Sequence, residues 1–230
     1  MVPILLWRWP KLLAVALLAA APLSAAGQAV AQKPGVLDRV LVSIGEEATT
    51  QSDVEREYGI ELLLEGKTPA EIPDPATLQQ TCERLVNQRL LALESSTGTA
   101  VPEALKAAAL QDLEEVRKRF PNPQAYQSAL ETLRMNEQEL LGRLIEQRQI
   151  LQAIDQRLRP AAAPEAAEIE SYYRQTFVPG YLQKDKGPAP PLAEVENQIQ
   201  EVVVQRKIDQ LLAQWLAELK PRRQVRWHTF

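Results

Sequence analysis

The chain has 230 residues, with one Cys, one His, nine Gly and a formal net charge of −4. A lone thiol, Cys82, forms no internal disulfide, and one Cys beside one His supplies no zinc set. His228, near the chain end, is a poor foundation for a nucleophilic relay, and the acidic balance excludes nucleic acid as the main partner.

Residues 1–31 contain no acidic residue and two basic ones, Arg8 and Lys11, followed by an apolar run from Leu12 to Leu23. Ala29-Val30-Ala31 fits the small-x-small pattern of signal peptidase, and Ser24-Ala25-Ala26 is a second candidate. A membrane-spanning helix needs about 20 apolar residues. This run is shorter and is interrupted by Pro22, so a cleaved signal ending at Ala31 and a periplasmic or secreted protein are expected. Loss of Arg8 and Lys11 takes the formal charge from −4 to −6. A single Cys suits an oxidising compartment, since nothing can be wrongly paired within the chain.

Val40-Leu-Val-Ser-Ile44, β-branched and apolar, predicts a strand ending at the turn-like Gly45-Glu46-Glu47. Thr50 and Ser52 offer N-caps, with Ser52 to Glu55 as a capping box. The helix that follows is expected to bury Val54, Tyr58 and Leu62 and to end near Gly66. Three prolines between Thr68 and Pro75 deny that stretch helical hydrogen bonds. A second helix starts near Pro75, with Leu78, Cys82, Leu85, Val86, Leu90 and Leu93 on one face. A third runs from Pro102 to Phe120. Asn122-Pro123 opens a short helix, as N-cap and N1 proline, and Asn136 to Glu139 is a capping box opening a long one.

That helix ends before Pro160, where Pro160 to Pro164 reads as a linker. A short helix through Ile169, Tyr172, Tyr173 and Phe177 follows, then a proline-rich loop from Val178 to Pro191. The last helix, Leu192 to Leu219, is expected to stop at Pro221, and Gln224 to Trp227 reads as a second strand. Neither strand is stable alone, so the two are expected to pair and close the chain ends onto one another. The fold class is mainly α with a small sheet. The expected organisation is a signal at 1–31 and a helical module at 32–159. A linker, short helix and loop at 160–191 come next, and a long helix and strand at 192–230 pack back on the module.

The stretch Asp38 to Val54, a strand, a turn and a Thr-x-Ser-Asp helix start, resembles the opening of SurA-type periplasmic chaperones. Leu85-Val-Asn-Gln-Arg-Leu-Leu-Ala-Leu-Glu94 is similar to that family's second-helix signature. Glu168 to Tyr173 resembles the segment leading into its parvulin isomerase domain, and Gln205 to Leu219 the helix returning from it. The resemblance covers most of residues 38–227. It implies a SurA N-terminal-like chaperone module, a client class of unfolded polypeptides that includes outer-membrane proteins, and a monomer or weak dimer. Only Arg174 to Pro191 lies where the parvulin domain would sit, with no histidine in it. The expectation is therefore a holdase that needs no ATP and no cofactor and is not an isomerase. A structural adaptor with one dedicated envelope partner is the second reading, and an isomerase the third.

Tyr172, Tyr173, Phe177 and Tyr181 cluster near the proline-rich loop and, with Trp215, are the candidate client-binding groove. The alternative for the four is packing of their helix onto the body, and for Trp215 a core position. Cys82 reads as a small core residue and His228 as a solvated tail. Glu114-Glu115 and Glu168-Glu170 are not acid–base pairs, because neighbours so close in sequence do not face one another on a helix. Arg117 to Arg119 and Arg222-Arg223 read as solvated or as helix C-terminal charges.

Overall fold

The computed structural model describes residues 38–69, 72–95, 100–183 and 187–228. The expected export signal at 1–31 and its cleavage after Ala31 lie outside these residues. No described helix is long and apolar enough to cross a membrane.

The chain enters through β1 (Val40–Ile44), which turns at Gly45 and pairs antiparallel with β2 (Glu47–Thr50). Gly45 sits at φ +60°, a conformation that a hairpin turn of two residues needs and that glycine reaches without strain. On its other side β1 pairs antiparallel with β3 (Val225–Trp227), placing Val42 opposite Trp227 and Ile44 opposite Val225. The expected closure of the chain ends is thus present, but the sheet has three strands, in the order β2-β1-β3. The stretch from Glu47 into the helix cap reads as turn and cap because Glu47-Ala-Thr-Thr50 has no alternating apolar pattern. It is a strand because its backbone satisfies the free edge of β1.

Helix α1 (Gln51–Leu64) follows β2 without a break. Its N-cap is Thr50, with Asp53 reciprocating, so the capping box lies two residues before the expected one. The face it buries also differs, being Val54, Glu57, Ile60 and Leu63, while Tyr58 and Leu62 are only half-buried. The turn that closes the helix passes through Gly66, with φ +78°. A Cβ there would lie 2.5 Å from Arg119 Cβ and 2.8 Å from the Arg119 carbonyl oxygen.

Helices α2 (Pro75–Ser95) and α3 (Glu103–Lys118) have the expected bounds to within a few residues. Leu91 takes the buried place expected of Leu93, which is exposed. Cys82 is fully buried, and burial pushes its thiol up to about 11. Asn122 caps α4 (Pro123–Thr132) through the Ala125 amide at 2.8 Å, and Asn136 with Glu139 forms the capping box of α5 (Glu137–Leu158), both as expected.

After α5 the supposed linker is a 3₁₀ turn (Arg159–Ala162) whose Ala162 is fully buried. Pro160 stands in its first turn, where a missing N–H costs nothing. Next come α6 (Ala166–Tyr172), a π-helical turn (Tyr173–Phe177) and α7 (Val178–Leu182). The first residues of the expected proline-rich loop are therefore helical, because Pro179 occupies α7's first turn. Helix α8 runs from Leu192 to Arg222 and carries Pro221 inside its last turn, so this proline does not stop it.

Two large apolar clusters meet along α5. One joins Leu41, Val42 and Ile44 of β1 to Val86 and Leu90 of α2, Ile154 of α5 and Ile208, Leu216 and Leu219 of α8. The other joins Ile60 and Leu63 of α1 to Leu113 of α3, Leu130 of α4 and Leu140 and Leu144 of α5. A third, smaller cluster joins Ile169 of α6 to Ile199 and Val203 at the start of α8.

One deletion and one substitution test this architecture. Deleting Gln224–Phe230 removes β3 and should lower Tm by roughly 4–8 °C, from about 2 kcal/mol of lost pairing and packing. An unchanged melting curve would show that β1 does not depend on β3. Gly66→Ala should lower stability in urea by at least about 1–2 kcal/mol, the cost of a left-handed non-glycine residue, with the clash against Arg119 added.

Candidate functional site

The sequence places four aromatic residues around one turn, and the local backbone explains how they are displayed. Helix α6 begins at Glu165, whose amide donates to the Glu168 carboxylate at 2.7 Å. Lys207 of α8 reaches back to that carboxylate at 2.8 Å and to the Ala163 carbonyl at 3.1 Å. These contacts fasten the start of α6 to α8, and Ile169 seals the joint from inside.

Pro179 then has no N–H to offer the Gln175 carbonyl, and its ring crowds that carbonyl. The backbone widens over Tyr173–Phe177, where the Val178 amide bonds back to the Tyr173 carbonyl. Single π turns of this kind are frequent at functional sites. The turn leaves Tyr173, Phe177 and Tyr181 in a row. Tyr173 and Phe177 stack at 5.8 Å with 20° between planes, and Phe177 and Tyr181 lie 5.8 Å apart at 32°. The Tyr173 hydroxyl donates to the Pro190 carbonyl at 2.8 Å, tying the row to the segment before α8. Tyr172 points elsewhere, under the Arg206 guanidinium of α8 at 4.6 Å from its ring centroid.

The ledge is graded. Tyr172, Tyr173 and Phe177 lean on the small cluster with Leu192 and Val195, whereas Tyr181 is half-exposed and Leu182 beyond it is 52% exposed. Aromatic side chains held in a rigid row offer apolar contact at low entropic cost, with hydroxyls to orient a backbone.

Trp215 does not belong with them. It lies in the main core, which also takes in β1, α2 and α5, 7% exposed, with the Arg157 guanidinium 4.4 Å from its ring. The core position expected as its alternative is the one it takes, and its indole Nε1 has no hydrogen-bond partner among the described residues.

A second feature escaped the sequence reading. Helices α1, α2 and α5 enclose a cleft of about 340 Å³, with Glu57 at its wall. Glu57 is 8% exposed and accepts from Arg143 Nη2 at 2.5 and 2.7 Å. Burial outweighs Arg143 and holds its carboxyl above the usual carboxylate range. The signal available in the sequence was the spacing Val54, Glu57, Ile60, a carboxylate in register with two core residues. Among the described residues no group of three or more His, Cys, Asp or Glu is arranged to hold a metal ion. The adjacent acids are engaged singly: Glu114 with Arg117, Glu115 with Lys118 at 2.8 Å and Glu170 with Arg174 at 2.5 Å.

Glu57 gives a pH prediction. Its folded value is raised, so above pH 4.5 the folded state binds more protons than the unfolded one. Its contribution is full below the unfolded value and is lost as pH rises through the folded one. Asp38, held down to about 2 by the Ser52 and Thr50 hydroxyls, acts at lower pH and does not interfere. Urea unfolding at pH 5 and pH 7 should therefore show a larger gain at pH 5 for the wild type than for Glu57→Gln. Equal gains would show that the Glu57 carboxyl is not raised.

Compared with protein-family models, curated proteins and solved structures, the chain matches none.

Proposed function

We propose that this protein is an exported, periplasmic holdase that shields non-native polypeptides without ATP and without prolyl isomerase activity. The observation that carries the reading is the ledge of Tyr173, Phe177 and Tyr181, continued by exposed Leu182. An extended client segment gains about 1.5–3 kcal/mol for each large apolar side chain it buries there. Such contacts are additive and indifferent to sequence, which suits many clients held weakly. The order of strand, helices and returning helix, similar to SurA-type chaperones, supports the same reading, as do the signal-like residues 1–31.

Catalysis is not part of it. Twisting a prolyl bond means lowering a barrier of about 18–20 kcal/mol, which takes a shaped pocket around the bond. Between α6 and α8 the described residues form a π turn, the five-residue α7 and a proline-rich segment.

Two assays together test the proposal. At several-fold excess the protein should slow aggregation of a denatured outer-membrane protein, and a protease-coupled prolyl peptide assay should stay at background. The Tyr181→Ala/Leu182→Ala double variant, at the exposed end of the ledge, should weaken client binding about tenfold or more while melting close to the wild type. Isomerase turnover above background would overturn the catalytic half. No effect on aggregation, with capture of one partner only, would replace the holdase by a dedicated adaptor.

A further inference from the structure

The aromatic ledge is open at its Tyr181 end, where Leu182 is exposed, and engaged at its Tyr173 end by another part of the same chain. We propose that residues 187–191 are a tethered competitor of the clients, holding the Tyr173 end as a client backbone would and giving it up when a client takes the row. This rests on the holdase reading and adds the regulation of the same site.

The sequence of the segment, Gly-Pro-Ala-Pro-Pro, carries no charge and no side-chain hydrogen-bonding group. Its three prolines have no N–H, fix φ at about −65° and keep Ala189 and Pro190, each followed by a proline, extended. Pro191, at φ −62° and ψ 151°, lies in the polyproline II region. A backbone of this kind satisfies no internal hydrogen bonds, so its carbonyls are left to outside donors. Tyr173 supplies one, its hydroxyl donating to the Pro190 carbonyl at 2.8 Å. Extended chain, small apolar side chains and an unpaired carbonyl are also what a non-native client brings to the ledge, and a hydroxyl spent on Pro190 is not free for that client.

Exposure follows the contact. Ala189 and Pro190 are half-buried, while Pro188 before them and Pro191 after them are exposed. Leu192, the first residue of α8, packs in the small cluster with Tyr172, Tyr173 and Phe177, which anchors the segment beside the ledge. Between that anchor and Gly187, the Tyr173 hydroxyl is the one side chain that hydrogen-bonds the segment among the described residues. A single neutral hydrogen bond shifts an equilibrium by about two- to tenfold, enough to populate the contact and little enough to exchange it. A site free for only part of the time binds in proportion to its free fraction, so the segment lowers the apparent affinity for clients by a similar factor.

The test compares the full chain with its Pro188→Ser/Pro190→Ser variant, which loosens the segment and leaves Pro191 and Leu192 in place. Binding of a labelled unstructured peptide, rich in Leu and Tyr and without Pro, is read by fluorescence anisotropy, and the Ala189 amide of the wild type is followed by NMR. The variant should bind the peptide about three- to tenfold tighter, and the peptide should shift the Ala189 amide. In Tyr173→Phe, which keeps the ring and removes the hydroxyl, the same two proline changes should have little effect. Unchanged or weaker binding by the proline variant would overturn the proposal, and weaker binding would make the segment part of the client platform instead. An equal gain in the Tyr173→Phe background would also overturn it, since the competition would not pass through that hydroxyl. If neither protein binds the peptide, the holdase reading falls and the competitor with it. Bound peptide with an unmoved Ala189 amide removes the competitor alone.

Discussion

The structure depends on one five-residue strand being satisfied along both edges. Leu41, Val42 and Ile44 of β1 are buried in the main core, where any unpaired amide or carbonyl on the strand would be costly. One edge is filled by the next segment of chain, β2. The other waits for β3, which is reached only after every helix has been laid down. The length of α8 follows from that demand, because it carries the chain back past the small cluster at α6 and into the main core before β3 begins. Arg223, at the end of α8, fixes the arrival by donating to Glu94 of α2 at 2.6 and 3.2 Å.

Between the helices, arginines bridge elements far apart in sequence. Arg84 grips Glu61 at 2.6 and 2.9 Å, Arg148 grips Asp112 at 2.5 and 2.6 Å, and Arg117 binds Glu137. These pairs sit at the edges of the apolar clusters with their guanidiniums partly in water, where each contributes ~1 kcal/mol or less. Their forked geometry makes them better at setting helix register than at adding stability. The run Arg117 to Arg119 belongs to this system, since Arg119 also donates to the Leu64 carbonyl at the end of α1. Buried apolar surface and edge-of-core pairs hold the body, which leaves the far end of the aromatic row, at Tyr181 and Leu182, facing outward.

The sequence was most readable where a local signal has one structural answer. Asn122-Pro123 and Asn136 with Glu139 cap helices because side-chain oxygens meet amides that have no other partner. Closure of β1 on β3 followed from the cost of a lone strand, a global argument from two short stretches. The misreadings share a cause. β2 has no hydrophobic pattern because its partner strand, not its own side chains, makes it a strand. Pro221 lies inside α8 and Pro160 inside the 3₁₀ turn, because a proline near an element's end removes few hydrogen bonds. The face of α1 differs from the apolar spacing because Glu57 occupies a buried position that is costly for a charge and that Arg143 makes tenable. Near the expected loop the sequence showed four aromatics close together, but not that Tyr172 turns to Arg206 or that helical α7 extends the row to Tyr181. Trp215, at a spacing that favours a core position over a groove, takes the core position.

Cys82 gives the molecule a built-in chemical clock. It is the chain's only thiol, it is fully buried in α2 within the main core, and burial raises it to about 11. Alkylating and oxidising reagents attack the thiolate, which is scarce at neutral pH and out of reach while α2 stays packed. Labelling at this one sulfur therefore advances only during excursions that expose α2. Its rate under native conditions is a direct record of how often the part of the core around β1 comes open.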